Sequence, residues 1–346
     1  MAGIELETLG QAETTVPFGG ELRRFDAVRD HLSRQFQEPG FNETTGLSVE
    51  ALEEAVEVRL GELEGEPRVL QKAEAYRIVG TQGQIAVDPH DWFVDKLNHG
   101  GILRGLQRRW LREAQDGEIH DEAEWFRLST ATGAVRGGID LGHISPGWER
   151  MFSAGLSGLA GEAGRMRERS GVTAQQDAFY RSVEIVHEAT IALADRFSDL
   201  AEQMVIVHPD QGDRLRKIST VCDRVPAEAP KTFHEALQFA WLMHELIEME
   251  GENVRSMGHF DRTLYPYYRE DLVTRRLTRD DAKELIKFFW FKHHARTQGN
   301  QNGKNFVFGG QDADGRPVEN DLTYLALEAY DELNIPDPKL SVRFAS

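Results

Sequence analysis

The chain has 346 residues, 40% of them hydrophobic, and a formal net charge of -18. That length and apolar content suffice for a sizeable core in one large domain or two ordinary ones. The acidic excess argues against nucleic acid, whose phosphates need Lys and Arg clusters. Cys222 is the only cysteine, which rules out an internal disulfide, a cysteine zinc site and a CxxC redox pair.

No basic start followed by an apolar run opens the chain, and nothing approaches the roughly 20 consecutive apolar residues of a membrane span. The expectation is a cytoplasmic protein that does not use membrane or nucleic acid. Residues 1–20, with several Gly and Thr and little periodicity, read as a flexible arm. Apolar spacing predicts helices over 22–37, 48–62 and 67–79, followed by a short extended piece from Gln84 to Val87 ahead of Pro89.

Ser145 as a cap and Pro146 at the first helical position predict a long helix ending near Arg169. Gly155, Gly158, Gly161 and Gly164 recur every three residues within it. Such a loss of helix propensity makes sense if another backbone packs closely there; a helix broken at the glycines is the other reading. A second long helix over 173–206 carries Phe179, Val183, Val186, Leu193, Phe197, Leu200 and Met204 as one apolar stripe, read as core rather than as a cofactor surface. Further helices are expected at 231–250 and 279–296, with extended pieces at 304–309 and 339–344. The class is helix-rich α/β with sparse strands.

His244-Glu245 with Glu248 resembles the start of a zinc-protease helix, but the second histidine that would coordinate the metal is replaced by Glu248. The adjacent His293 and His294 point about 100° apart on a helix and read as an exposed or core-edge pair. Asp312 to Gly315 echoes a calcium loop without its remaining oxygens, and is expected to be a polar turn. The Gly100-Gly101 and Gly137-Gly138 pairs lack dinucleotide spacing, so no nucleotide cofactor and no metal are expected.

Two constellations remain. Gly142-His143-Ile144-Ser145-Pro146 sets a histidine just before a helix N-terminus, where a ligand oxygen could meet imidazole and free N–H groups; a His bonded to local backbone is the plainer reading. Arg255-Ser256-Met257-Gly258-His259-Phe260-Asp261, followed by the anchor Leu264-Tyr265-Pro266-Tyr267-Tyr268, suggests a turn aiming polar groups into a cavity, or else an ordinary loop. A serine hydrolase is excluded, because no GxSxG is present and residues so close rarely form a triad.

These residues also carry a family resemblance. Asp91-Trp92-Phe93, Gly142-His143, Gly155 to Gly158, Thr232 to Gln238, Ser256 to Tyr268, Gly309 to Asp312 with Gly315, Leu325 to Ala329, and Pro338 to Arg343 together resemble the pyruvate formate-lyase domain of glycyl radical enzymes. The resemblance implies a ten-stranded α/β barrel of two antiparallel five-stranded halves wrapped by helices. Residues 21–346 would be part of it, a helical layer over about 21–140 and a half-barrel with long helices over about 141–346.

It further implies an anaerobic lyase or dehydratase that acts on a small hydroxylated or carboxylated substrate by thiyl-radical hydrogen abstraction. The chain looks like the N-terminal half. The family's catalytic Cys, in a Gly-Cys-x-Glu context, and its C-terminal radical Gly are expected outside it, since Cys222 does not match and reads as a structural thiol. The implied partners are the substrate, a C-terminal half or partner chain, further copies in a homo-oligomer, and a radical-SAM activating enzyme that installs the glycyl radical. By matching position, His143, Arg255, Ser256, His259 and Asp261 would bind substrate. The competing expectation is a non-catalytic remnant or interaction protein that keeps the half-barrel.

Overall fold

Ser48, Thr173, Thr232 and Asn320 cap helix starts with their side chains, whereas the helices that open at Arg68, Trp148, Gly212 and Phe260 have no side-chain cap bond. The computed structural model describes residues 25–118, 127–129, 131–133, 143–251, 253–254, 256–297 and 304–344; the expected arm, 1–20, lies outside them. Helices α1 (Phe25–Gln37), α2 (Val49–Glu62) and α3 (Arg68–Gln82) fall where apolar spacing placed them. Strand β1 (Ile85–Ala86) then pairs antiparallel with β2 (Lys96–Leu97), and α4 (Ile102–Glu118) follows, a helix the sequence reading did not assign. No helix among the described residues is long and apolar enough to cross a membrane.

After β3 (His143–Ile144) comes α5 (Trp148–Arg167), capped at Gly147 rather than at Ser145. The expectation of one continuous glycine-lined helix is corrected here. Gly155 adopts φ 63° and ψ 169° and interrupts the helix. A Cβ on it would stand 2.4 Å from the Ala227 carbonyl oxygen, whereas Gly158, Gly161 and Gly164 meet only side chains. Leu156 N and Ser157 N donate to the carbonyls of Pro226 (2.9 Å) and Ala227 (3.0 Å), so the break is where another backbone docks.

Helix α6 (Ala174–Val207) opens with a Thr173/Gln176 capping box, and α7 (Gly212–Cys222) precedes α8 (Phe233–Met249), which opens with a Thr232/Glu235 capping box. The segment expected as a turn is instead two segments of regular structure. Strand β5 (Ser256–His259) runs straight into α9 (Phe260–Val273), with Pro266 inside the helix. Helix α10 (Arg279–Thr297), β6 (Asn305–Gly309), α11 (Asp321–Leu333) and β7 (Lys339–Arg343) complete the order, with β4 (Asn253–Val254) ahead of β5.

Strands β3 and β4 pair in parallel, as do β5, β6 and β7, with a register shift between Ser256 and Gly258. Parallel neighbours joined by helical crossovers are the logic of an α/β barrel wall. On one side the sheet is dry: Phe306 packs on Trp290 at 4.7 Å and Phe308 on Phe260 at 5.6 Å. The other side is open, with Asn305 and Val307 half-buried and Ser341 exposed. Strand β7 has an outer edge unpaired among the described residues, and Phe344 beyond it is 89% exposed.

Candidate functional site

The polar residues gather where β3, β4, β5 and β6 meet α8 and α10. Ser256 opens β5, half-buried. Its carbonyl accepts hydrogen bonds from Ser145 Oγ (3.1 Å) and the Trp148 indole N–H (3.4 Å), and its hydroxyl accepts from Gly258 N (2.8 Å). Ser145, expected as a helix cap, thus ties the start of α5 to β5. Gly258 takes φ 71° at the register shift, a conformation that favours glycine.

The sequence-derived candidates part company here. Strand β3 places His143 beside Asn253 of β4; its side chain, and Arg255 entirely, lie outside the described residues. His259 ends β5 half-buried, and its Nδ1 is shut from solvent without a hydrogen-bond partner among the described residues. Asp261 is fully buried. Its Oδ2 accepts from Gly309 N (2.8 Å) and Thr323 Oγ1 (2.6 Å), and its Oδ1 from Arg262 N (2.8 Å), so it pins α9 to the end of β6 and the start of α11. It does not line the cavity beneath Ser256.

That cavity, about 10 Å³, has room for one water. Ser256, His244, His293 and Lys304 face it among Trp148, Phe289 and Phe306. Sequence reasoning missed this cluster. His244 Nδ1 lies 3.4 Å from Glu245 Oε1 and its Nε2 3.8 Å from Glu248 Oε1, while the Lys304 ammonium pairs with Glu248. The ligand atoms of His244, Glu245 and Glu248 lie within 4.8 Å of one another, spacing a cation could use, but Lys304 already brings a positive charge onto Glu248. Burial pulls the Lys304 ammonium down to about 8 against the opposing pull of Glu245 and Asp337. His293 is neither exposed nor at a core edge. It is 2% exposed, with its ring 4.8 Å from both Trp241 and Phe289, while His294 is half-buried.

A second buried network locks the loop between β1 and β2. Asp91 pairs with Lys292, which also contacts Asp95 at 3.1 Å, and Asp95 holds Lys96 at 3.0 Å. Burial raises the Asp91 carboxyl against the pull of Lys292. Gln238 matches the Val94 peptide twice, accepting from its N–H and donating to its C=O, both at 2.9 Å. His234 Nε2 donates to the Trp92 carbonyl at 2.8 Å, and burial drives its ring down to about 3, so it is neutral. Cys222 is buried in α7, its thiol pushed up by burial and by Asp223. The Asp312 turn is polar as expected, with Oδ1 accepting from Asp314 N and Arg316 N.

Comparison with known proteins places this architecture. A family model described as pyruvate formate lyase-like matches residues 64–346. The probable dehydratase YbiW of Escherichia coli (strain K12) is 30% identical over 270 residues, 65% of this chain and 33% of that protein. A glycyl radical enzyme from Archaeoglobus fulgidus superimposes with TM-score 0.66 and 26% identity over 86% of this chain and 46% of its own. A structure of 1,2-propanediol dehydration in Roseburia inulinivorans superimposes with TM-score 0.73 and 22% identity, covering 91% of this chain and 44% of its own. The chain thus spans a third to a half of these relatives. With parallel strands of a barrel wall, helical crossovers and a family match across most of its length, the chain belongs to the pyruvate formate lyase-like family of glycyl radical enzymes.

Proposed function

We propose that the chain is the substrate-holding portion of an anaerobic lyase or dehydratase acting on a small hydroxylated or carboxylated molecule. In this reading, hydrogen abstraction by a thiyl radical is carried out by a Cys and a radical Gly outside these residues. A radical-SAM enzyme installs the radical, and the barrel is completed by further polypeptide or a partner chain.

One observation carries the reading: a half-barrel wall whose helix side packs Phe306 on Trp290 around the small polar cavity that Ser256 lines, and whose open side presents Asn305 and Ser341. Polar groups on such a wall orient hydroxyl or carboxylate oxygens, while the packed wall behind them keeps water from the reacting face. Ser256, His143 and His259 contact the substrate, Arg255 meets a carboxylate, and Asp261 holds the strand-to-helix junction. Cys222 is unsuited to hydrogen abstraction because it lies in the core of another layer, away from this wall.

The test is native mass spectrometry of the protein isolated anaerobically from its source, with peptide sequencing of everything that co-purifies. Polypeptide bearing a Gly-Cys-x-Glu loop and a C-terminal glycine loop is the expected result. A folded 346-residue chain on its own would refute the radical assignment and leave a binding role, for which the open edge of β7 provides a docking strand.

A further inference from the structure

The apolar stripe of α6 is not covered along its whole length. Leu193 and Phe197 are buried, but Phe179 is 53% exposed, and Val183 and Val186 remain half-buried. This corrects the reading of the stripe as core throughout. Where α3 stops covering it, the two helices enclose a groove of about 250 Å³ lined by Val69, Lys72, Val183, Val186, His187 and Glu250. That is close to the lower end of small-ligand sites.

We propose that this groove binds a small zwitterion of the α-amino-acid type, with its carboxylate on Lys72, its ammonium on Glu250 and its apolar side chain on the valines. Lys72 and Glu250 form an ion pair at 2.8 Å, each about a quarter exposed. An ammonium has three donors and a carboxylate two oxygens, so each partner has capacity left without breaking the pair. A zwitterion adds one charge of each sign and keeps the pair neutral, which a simple anion or cation does not. The valine floor contributes through burial. His187 lines the groove with its ring, its Nδ1 being shut from solvent, and contributes wall rather than a polar contact. Burial lowers its pKa and keeps the imidazole neutral. The groove shares no lining residue with the cavity beneath Ser256, so the site is distinct from the one above.

Calorimetric titration of the full chain tests this with L-leucine and its two halves, isocaproate and isoamylamine. Leucine is expected to bind saturably, with a Kd at least about tenfold below either half. Val183→Trp, which fills the groove without touching either charge, should abolish binding, and Lys72→Met should weaken it by a similar factor while the parent melting temperature is kept. Absence of saturable heat, equal affinity for isocaproate, or unchanged binding in both variants would overturn the proposal.

Discussion

Asp261 and Ser256 are five residues apart in the chain, yet their substitutions should behave differently. In Asp261→Ala the carboxylate leaves behind three donors, of which Gly309 N–H at 2.8 Å and Thr323 O–H at 2.6 Å are buried and Arg262 N–H is only part-buried. Each buried donor left unsatisfied costs roughly 1–3 kcal/mol. The two together, with the small cavity, give about 3–5 kcal/mol, allowing for imperfect additivity. Asp261→Asn keeps one acceptor but turns an NH₂ toward another donor, so about 2–4 kcal/mol is expected. Ser256→Ala loses one bond, to Gly258 N, at a half-exposed position, for about 0.5–1.5 kcal/mol. Urea titration followed by far-UV circular dichroism would read the three midpoints at constant slope. If Asp261→Ala unfolds within about 1 kcal/mol of the parent, the argument that this residue pins α9 to β6 and α11 is wrong.

Other substitutions separate local causes in the same assay. Gly155→Ala forces a Cβ to 2.4 Å from the Ala227 carbonyl at φ 63°, and should cost upwards of about 2 kcal/mol. Gly161→Ala, where the nearest atom to the new Cβ is the Arg165 guanidinium at 3.5 Å, should instead stabilise by up to about 1 kcal/mol. His234 titrates near 3 when folded and 6.5 in the reference state. The unfolded chain therefore takes up the proton first, and this contribution to stability is present above pH 6.5 and lost as pH falls toward 3. His234→Gln should remove up to one proton from the slope of stability against pH in that window, and an unchanged slope would refute it. Lys304 and Glu248, both nearly buried and in contact, should show a coupling above about 1 kcal/mol in a Met/Gln double-mutant cycle; additive effects would mean the pair is incidental.

How much of this was legible in the sequence depended on how local its cause was. Thr173 with Gln176 and Thr232 with Glu235 announce α6 and α8 because a capping box is complete within four residues. Strands β6 and β7 were visible through alternation. Helix α9 was not, because Gly258 and Pro266 are turn signals; here Pro266 is tolerated inside a helix packed by Phe260, Leu264 and Tyr268. Helix α11 had an Asn320/Thr323 cap and Leu322, Leu325, Ala326, Ala329 and Leu333 at helical spacing, a signal present but passed over. The polar cluster under Ser256 was out of reach, since Lys304 comes from the start of β6 and Glu248 from the far end of α8. Taken alone, His244 and Glu248 suggested only a failed zinc helix.

Two segments that carry the family resemblance, Asp91 to Phe93 and Thr232 to Gln238, make direct structural contacts. The Gln238 amide reads the Val94 peptide from both sides and His234 holds the Trp92 carbonyl, while Lys292 brings α10 onto Asp91. These are bonds between an irregular loop and two helices, where no secondary-structure ladder can satisfy the backbone, so a specific side chain has to. That requirement restricts residue type as tightly as catalysis does. It explains why Asp91 to Phe93 and Thr232 to Gln238, both part of the family resemblance, serve to hold a loop to two helices behind the wall.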